Sequence, residues 1–393
     1  IKTPARAPRP TPAMIDIGLS DEELQFRDSV RAFVDRNVVP NATRWDIAER
    51  YPRELFAQAG ALGWLGVGFP EEVGGSGGGS VMSAILNAEL TRGSAAISLG
   101  LYVHSMLATA AIFHLGTVEQ KARYMPSAVA GIKVGCWGYA EAGAGADISR
   151  VQTRARREGC DYVLSGAKIY ITNATFADFM VIVAVTEPGQ GLKGMSLFIV
   201  ERGMPGVAVG APFRKLGMGA SEMAEITFTD TRVPQENRLG PEHTGFIAAL
   251  KVLSLGRIAS AATAVGLGRA ALEEALRYTA ARVQGDKPIT SHQFVRFTLA
   301  DMAARIEAAW QLTLHAARLV DAGGEFDCAA AMAKLFATET CTHVCERALH
   351  LCGAQGYMRE SAAQRFYRDC KVLELGEGTS EIQRETIFRH IGR

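Results

Sequence analysis

The chain has 393 residues, more than a single core usually reaches, so two or three domains are expected. Its 42 basic residues stand against 41 acidic ones, and a net charge of +1 argues against both a nucleic-acid surface and a polybasic membrane anchor. Hydrophobic residues make up 48% and glycines number 41, an enzyme-like globular composition, and seven cysteines, odd in number and mostly inside apolar helical text, do not read as a disulfide framework.

In chain order, residues 1–17 place Lys2, Arg6 and Arg9 among prolines with no apolar run. They read as a disordered arm, neither signal peptide nor membrane span, with Met14 as a natural start and the cytoplasm as the site of action. Ser20-Asp21-Glu22-Glu23 caps a helix whose Phe26, Val30, Phe33, Val34 and Val38 share one stripe before Pro40 stops it. A second helix is predicted over about 52–65. The glycine-rich link 69–79 lacks the Lys-Ser/Thr of a phosphate loop and reads as a turn. From 81 to about 130 the text is helical again, with a break at Gly116-Thr117. Residues 18–134 thus form an N-terminal helical domain.

Near residue 135 the period changes. Short β-branched and aromatic runs around 151–155 and at 162–164, 168–172, 180–185, 195–200 and 226–228 are separated by Gly, Asp, Asn and Pro. No crossover helices intervene, so 135–245 is predicted to be an antiparallel barrel or sandwich, not a parallel nucleotide-binding sheet. Gly143-Ala144-Gly145-Ala146-Asp147 precedes strands instead of opening a helix and is not a dinucleotide fingerprint. After Gly245 the chain stays helical. Segments 246–282, 294–322, 328–351 and 380–391 predict a C-terminal four-helix bundle over 246–393. Within it Cys341, His343 and Cys345 suggest metal ligands, yet His343 lies about 200° around the helix from Cys341. Cysteines one turn apart read as packing, and no metal site is expected.

Close to the end stands Leu375-Gly376-Glu377-Gly378-Thr379-Ser380-Glu381-Ile382-Gln383. Two glycines flank a carboxylate, and Ser380 with Gln383 has capping-box spacing at the start of a helix. Glu377 is therefore presented on a turn ahead of a helix, as a general base would be. A solvated loop glutamate is the competing reading of the same spacing.

The order of blocks resembles the acyl-CoA dehydrogenase family of flavoproteins from about residue 18 onward. The blocks are 69–79, 116–121, 140–147, 168–173, 215–217, 233–237, 282–289, Arg368-Asp369 and 377–382. The resemblance implies an α+β fold of helical, β and helical domains, and FAD held between the β domain and the bundle of a homotetramer built as a dimer of dimers. It implies removal of an α proton from an acyl-CoA while hydride leaves the β carbon for flavin N5, with an electron-transfer flavoprotein as acceptor. The family's usual base maps to Glu377, whose N–H, with a ribityl hydroxyl, would bind the thioester carbonyl. The alternative base position maps to Gly256, which has no acid. Arg257 matches a supporting arginine, its competing reading being a helix-surface residue. Cofactor contacts map to Tyr139, Ala140, Ala146, Tyr170, Thr172, Arg282, Gln284, His350, Ala354, Thr379 and Glu381, and substrate contacts to Leu99, Tyr102, Gly376 and Gly378.

Departures from the family pattern cluster on the cofactor. Ala140 and Ala146 replace a hydroxyl and a serine, Tyr170 a tryptophan, His350 a glutamine and Ala354 a glycine, while Gly285-Asp286 has lost an aromatic. Gly376 replaces a tyrosine common in straight-chain members, which opens the pocket to branching. Leu99, Leu101, Tyr102, Met106 and Leu107 point to a short cavity, or to plain core packing. The leading function is thus dehydrogenation of a short or branched acyl-CoA in lipid metabolism. Oxidation with oxygen or of a carrier-protein thioester is the second reading, and a non-catalytic ligand-binding subunit the third.

Overall fold

The computed structural model describes residues 18–392; the arm expected at 1–17 lies outside them. Ser20 caps α1 (Asp21–Phe33) through a reciprocal box with Glu23, as its spacing requires. Its apolar stripe runs on through a π turn at Val34–Val38, and Val30, Val34 and Val38 are fully buried. Next come α2 (Ala42–Ala48) and α3 (Glu54–Ala61), the latter ended early by Gly63 at φ +75°. The apolar text of 81–130 breaks twice. Gly116 ends one helix as predicted, and Ser94 adopts an extended conformation between α4 (Ser80–Gly93) and α5 (Ala95–Tyr102). A π-helical segment, Val103–Thr109, then leads into α6 (Ala110–Leu115), followed by α7 (Val118–Val129).

The middle strands are β1 (Gly135–Gly138), β2 (Arg154–Glu158), β3 (Asp161–Thr172), β4 (Phe179–Val185), β5 (Met195–Glu201), β6 (Val207–Val209), β7 (Met223–Val233) and β8 (Arg238–Leu239). They form one eight-stranded sheet in the order β6-β7-β3-β2-β4-β5-β8, with β1 also beside β4. Pairing is mainly antiparallel. Where the sequence predicts antiparallel pairing throughout, β4 runs parallel to β1 and to the end of β2, because a whole hairpin separates β1 from β4 and provides the crossover. The two runs read at 162–164 and 168–172 are one bulged strand, with Tyr170 at φ +62° in the irregular stretch.

The C-terminal part holds α8 (Gly245–Ala281), a hairpin of β9 (Val283–Gln284) and β10 (Lys287–Pro288), α9 (Gln293–Asp321), α10 (Asp327–Gly356), α11 (Ala362–Leu375) and α12 (Ser380–Ile391). Five helices stand where the sequence suggests four. The added one, α11, buries Ala363, Phe366, Cys370 and Leu373 on one stripe, but Arg365, Arg368 and Lys371 make its text polar on the whole, so it does not stand out as an apolar run. α8 packs against α10, α9 and α4, joining the two helical domains. Stretches Ala95–Leu115 and Gly245–Ala281 are long and apolar enough to cross a membrane, but 78% and 61% of their apolar windows are buried inside this fold. All seven cysteines are free, and the Cys341 and Cys345 sulfurs sit 3.9 Å apart in the core. Among the described residues no cluster of three or more His, Cys, Asp or Glu is placed to hold a metal.

Candidate active site

α11 ends at Leu375 and α12 begins at Ser380, and the loop between them turns through two successive left-handed residues, Glu377 at φ +53° and Gly378 at φ +80°. Glycine takes that conformation freely; for Glu377 it costs on the order of 1–2 kcal/mol. Donors from two helices offset the cost. Gln383 Nε2 donates to the Glu377 carbonyl at 3.0 Å and the Gly378 carbonyl at 2.9 Å, and Lys334 Nζ on α10 donates to the Gly378 carbonyl at 2.7 Å. The capping box read at Ser380 and Gln383 is therefore corrected. Thr379 is the N-cap, accepting from the Ile382 N–H at 3.4 Å, and Gln383 is drawn backward because the strained loop turns its carbonyls inward.

The Glu377 side chain reaches across to α8. A Cβ built on Gly256 would lie 2.8 Å from Glu377 Oε2 and 3.1 Å from Leu107 Cδ2, so the alternative base position is the vacancy that admits this carboxylate. Burial raises the Glu377 pKa, opposed by the Tyr102 phenol and by the charges of Lys334 and Arg257. A base desolvated in this way binds a proton more tightly than a surface glutamate, and the two cations work in the opposite direction, favouring its charged form. Arg257 follows Gly256 on α8, is half-buried, donates to Ser254 Oγ at 3.3 Å and feels the charges of Asp327 and Glu377. Tyr139 also feels the Glu377 charge, and with burial this pushes its phenol up to about 12.

In front of Glu377 opens a cavity of about 600 Å³ between the three domains. It gathers Leu99, Tyr102, Tyr139, Ala140, Ala146, Tyr170, Thr172, Gly376, Gly378 and Thr379 of the residues picked from the sequence. The loop bearing Tyr139 and Ala140 is fixed by the fully buried Lys168, whose Nζ meets Glu141 Oε1 at 2.7 Å and the Tyr139 carbonyl at 3.1 Å. Trp137 Nε1, Ser221 Oγ and Thr263 Oγ1 line the cavity, are buried, and find no partner among the described residues. Buried polar groups are normally paired. Three orphans around one large space are what a bulky ligand with a polar edge requires, and a Cβ on Gly145 would meet nothing within 4 Å, leaving the loop open to it. The residues present thus fit the flavin expected from the sequence.

The remaining expected contacts lie elsewhere in this chain. Arg282 and Gln284 are exposed at the end of α8 and in the β9–β10 hairpin, and His350 and Ala354 are exposed about the kink at Gly353, φ +56°. Glu381 is exposed in the first turn of α12. None of these five lines the cavity, so within one subunit they contribute nothing to it. Conversely, Lys334, Gln383 and Trp137 are site residues that the sequence reading missed. A lone lysine in the apolar run Ala329-Ala330-Ala331-Met332-Ala333-Lys334-Leu335-Phe336 was the available signal for the first.

The profile for Acyl-CoA dehydrogenase, N-terminal domain, matches residues 20–132, that for the middle domain 136–231 and that for the C-terminal domain 243–392. The chain is 38% identical over 379 residues to the short-chain specific acyl-CoA dehydrogenase of Clostridium acetobutylicum, covering 96% of this chain and all of that one. Its fold is similar to that of butyryl-CoA dehydrogenase from Megasphaera elsdenii, with a TM-score of 0.94 at 35% identity over 96% of this chain and 100% of the other. It is also similar to a glutaryl-CoA dehydrogenase from Mycobacterium smegmatis in complex with FADH2, with a TM-score of 0.91 at 29% identity over 95% and 96% of the two chains.

Proposed function

The chain belongs to the acyl-CoA dehydrogenase family, FAD-dependent oxidoreductases, and from that premise we propose that it dehydrogenates a short or branched acyl-CoA to the 2-enoyl-CoA. The observation that carries this reading is the Glu377 carboxylate, half-buried at the head of the cavity with a raised proton affinity. Glu377 takes the α proton. Its own N–H has no acceptor among the described residues and is free to receive the thioester carbonyl, where enolate charge develops. Lys334 and Gln383 hold the loop so that N–H and carboxylate keep their relative placement. Leu107 and Gly256 close the wall behind the carboxylate and exclude water. Tyr139, Ala140, Ala146, Tyr170, Thr172 and Thr379 would hold the flavin, which when bound supplies the acceptor for the β hydride.

The cavity's open side at Gly376 supports the branched part of the reading: a Cβ there would meet only the Val372 carbonyl, at 3.5 Å. Assembly as a homotetramer, with Arg282, Gln284, His350 and Ala354 serving a neighbouring subunit's FAD, and onward transfer to an electron-transfer flavoprotein in the cytoplasm complete the proposal. The test is Glu377→Gln, which keeps the shape of the side chain and cannot accept a proton. Flavin content should be unchanged and the rate of flavin bleaching by substrate should fall roughly 10²–10⁴-fold. Bleaching at the wild-type rate would place the base elsewhere.

A further inference from the structure

Sequence blocks 215–217 and Arg368-Asp369 are far apart in the chain and meet beside the cavity. The loop between β6 and β7 crosses α11 so closely that a Cβ on Gly217 would lie 2.2 Å from the Arg368 carbonyl oxygen. Met218, next along, is held at φ +53°, a left-handed conformation that a residue with a side chain keeps only where its surroundings enforce it. Asp369, 2% exposed, supplies the constraint by accepting the Met218 N–H on Oδ1 from 151 residues away. Arg368 donates to the Leu216 carbonyl at 3.1 Å and to Asp46 of α2 at 2.6 Å, and Asp46 Oδ1 accepts from the Gly219 N–H at 3.2 Å. One short loop of the middle domain is thus clipped to both helical domains. Lys215, Leu216, Gly217 and Met218 line the cavity, as do Arg368 and Val372 of α11. The turn that the Ser221 N–H closes on the Met218 carbonyl at 2.9 Å carries Ser221, whose unpartnered hydroxyl is one of the groups that fit the flavin.

We propose that Asp369 is a positioning residue for the FAD: through the Met218 N–H it clips loop 215–221 to α11 and so fixes the separation of two walls of the cavity. This rests on the family's flavin and not on the assignment of Glu377 as base. A ligand held between walls takes its contact from both, and a gap of about 0.5–1 Å forfeits about a quarter to a half of the dispersion attraction on the slack side. An apolar side chain at 369 would fill the same place without desolvating a charge, but it would leave the Met218 N–H dry and the turn unset. A carboxylate suits the task because an ionised acceptor holds a backbone N–H more strongly than a neutral one. Burial pushes the Asp369 pKa up to about 6, while the Met218 N–H, Arg365 and Arg368 favour its charged form against Asp46, so it stands ionised at pH 7. Beyond the clip α11 runs on to Gly376 and Glu377, so the loop is fixed to the helix that presents the base.

The test follows release of FAD from the holoenzyme on dilution, read as the rise in flavin fluorescence with no thioester present. Asp369→Leu should speed release about 10–100-fold, the span expected for a lost hydrogen bond to a charged group. Asp369→Asn, whose amide oxygen still accepts, should restore most of the wild-type behaviour. Gly217→Ala keeps the carboxylate and drives a methyl into the Arg368 carbonyl; it should speed release likewise, and adding it to Asp369→Leu should do little more, since one clip is broken only once. Val30→Ala, at a fully buried position off the cavity, lowers the thermal midpoint for structural reasons alone and should leave release unchanged. Release from Asp369→Leu at the wild-type rate, Asp369→Asn as fast as Asp369→Leu, additive effects of the two substitutions, or equal acceleration in Val30→Ala would each overturn the proposal. Should Asp369→Leu fail to fold, Gly217→Ala decides. Absence of bleaching by every thioester in the wild-type enzyme would sink the dehydrogenase reading and leave these release rates intact.

Discussion

Lys334 is fully buried in an otherwise apolar stretch of α10, and burial pulls its pKa from 10.5 down to about 8, against the attraction of Glu377 and Glu374. A folded-state value below the unfolded one means that the fold disfavours the charged amine. That cost is present in full below pH 8 and is relieved as pH rises from 8 toward 10.5. A drop of that size corresponds to about 3 kcal/mol near neutrality. Against it stands the bond to the Gly378 carbonyl, worth about 1 kcal/mol net, and Gln383 Nε2 still serves that carbonyl when the lysine is gone. Lys334→Met, similar in length and uncharged, should therefore stabilise the enzyme by about 2 kcal/mol at pH 7, the usual sign when a buried ion gives way to an apolar isostere. Activity should move the other way. Loss of a cation that lowers the Glu377 pKa shifts the acid limb of kcat/KM to higher pH, and a looser loop lowers kcat. The assay is a thermal midpoint at saturating FAD together with a pH–rate profile. A midpoint that falls would show that the lysine is mainly a clamp, and an acid limb that stays in place would show that its charge does not reach the base.

Gly256→Ala, favourable for an exposed helix, here puts a methyl 2.8 Å from Glu377 Oε2; kcat should fall on the order of 10²-fold with flavin content unchanged, measured by stopped-flow bleaching. Gly376→Tyr should cost branched substrates about 10–200-fold relative to straight ones in kcat/KM, and an equal loss for both would remove the argument from the open wall. His104 is fully buried, its Nε2 donating to the Ala128 carbonyl at 3.0 Å and its Nδ1 accepting from the Gly135 N–H at 2.8 Å, a pair of bonds that only the neutral ring makes. Burial lowers its pKa to about 4, so its stabilisation is complete above pH 6.5 and is lost as pH falls toward 4, about 3 kcal/mol in all. Denaturation midpoints across that window should decline less in His104→Asn, which has no proton to gain.

The parts of this molecule legible in its sequence are those whose meaning is local. Ser20 and Glu23 are three residues apart and make the box that spacing dictates, and Glu377 between two glycines has few conformations other than an outward turn. Contacts that cross the chain were not legible. Lys334 meets Gly378 from 44 residues away and Trp137 joins Tyr102 from another domain, so nothing beside either residue announces its task. Gln383 shows the intermediate case. Its distance from Ser380 reads as a capping box, but the cap falls one residue earlier, on Thr379, and Gln383 turns back to the loop carbonyls of Glu377 and Gly378. β1, four residues with no polar alternation because both of its faces are buried, lacked the period by which strands are recognised.

The π-helical stretch Val103–Thr109 runs along the cavity wall, with Leu99 and Tyr102 before it and Leu107 inside it. Each wide turn accommodates one residue more than an α-turn would, and every α-helical residue advances the azimuth by about 100°. Removing one residue from this stretch would let it rewind as ordinary α-helix and swing everything upstream by that angle. Leu99 and Tyr102 would then leave the cavity together and their neighbours would enter it. A change of length in seven residues would thus remodel this wall in a way that no point substitution offers, taking the Tyr102 phenol away from Glu377 while leaving the loop that carries the base in place.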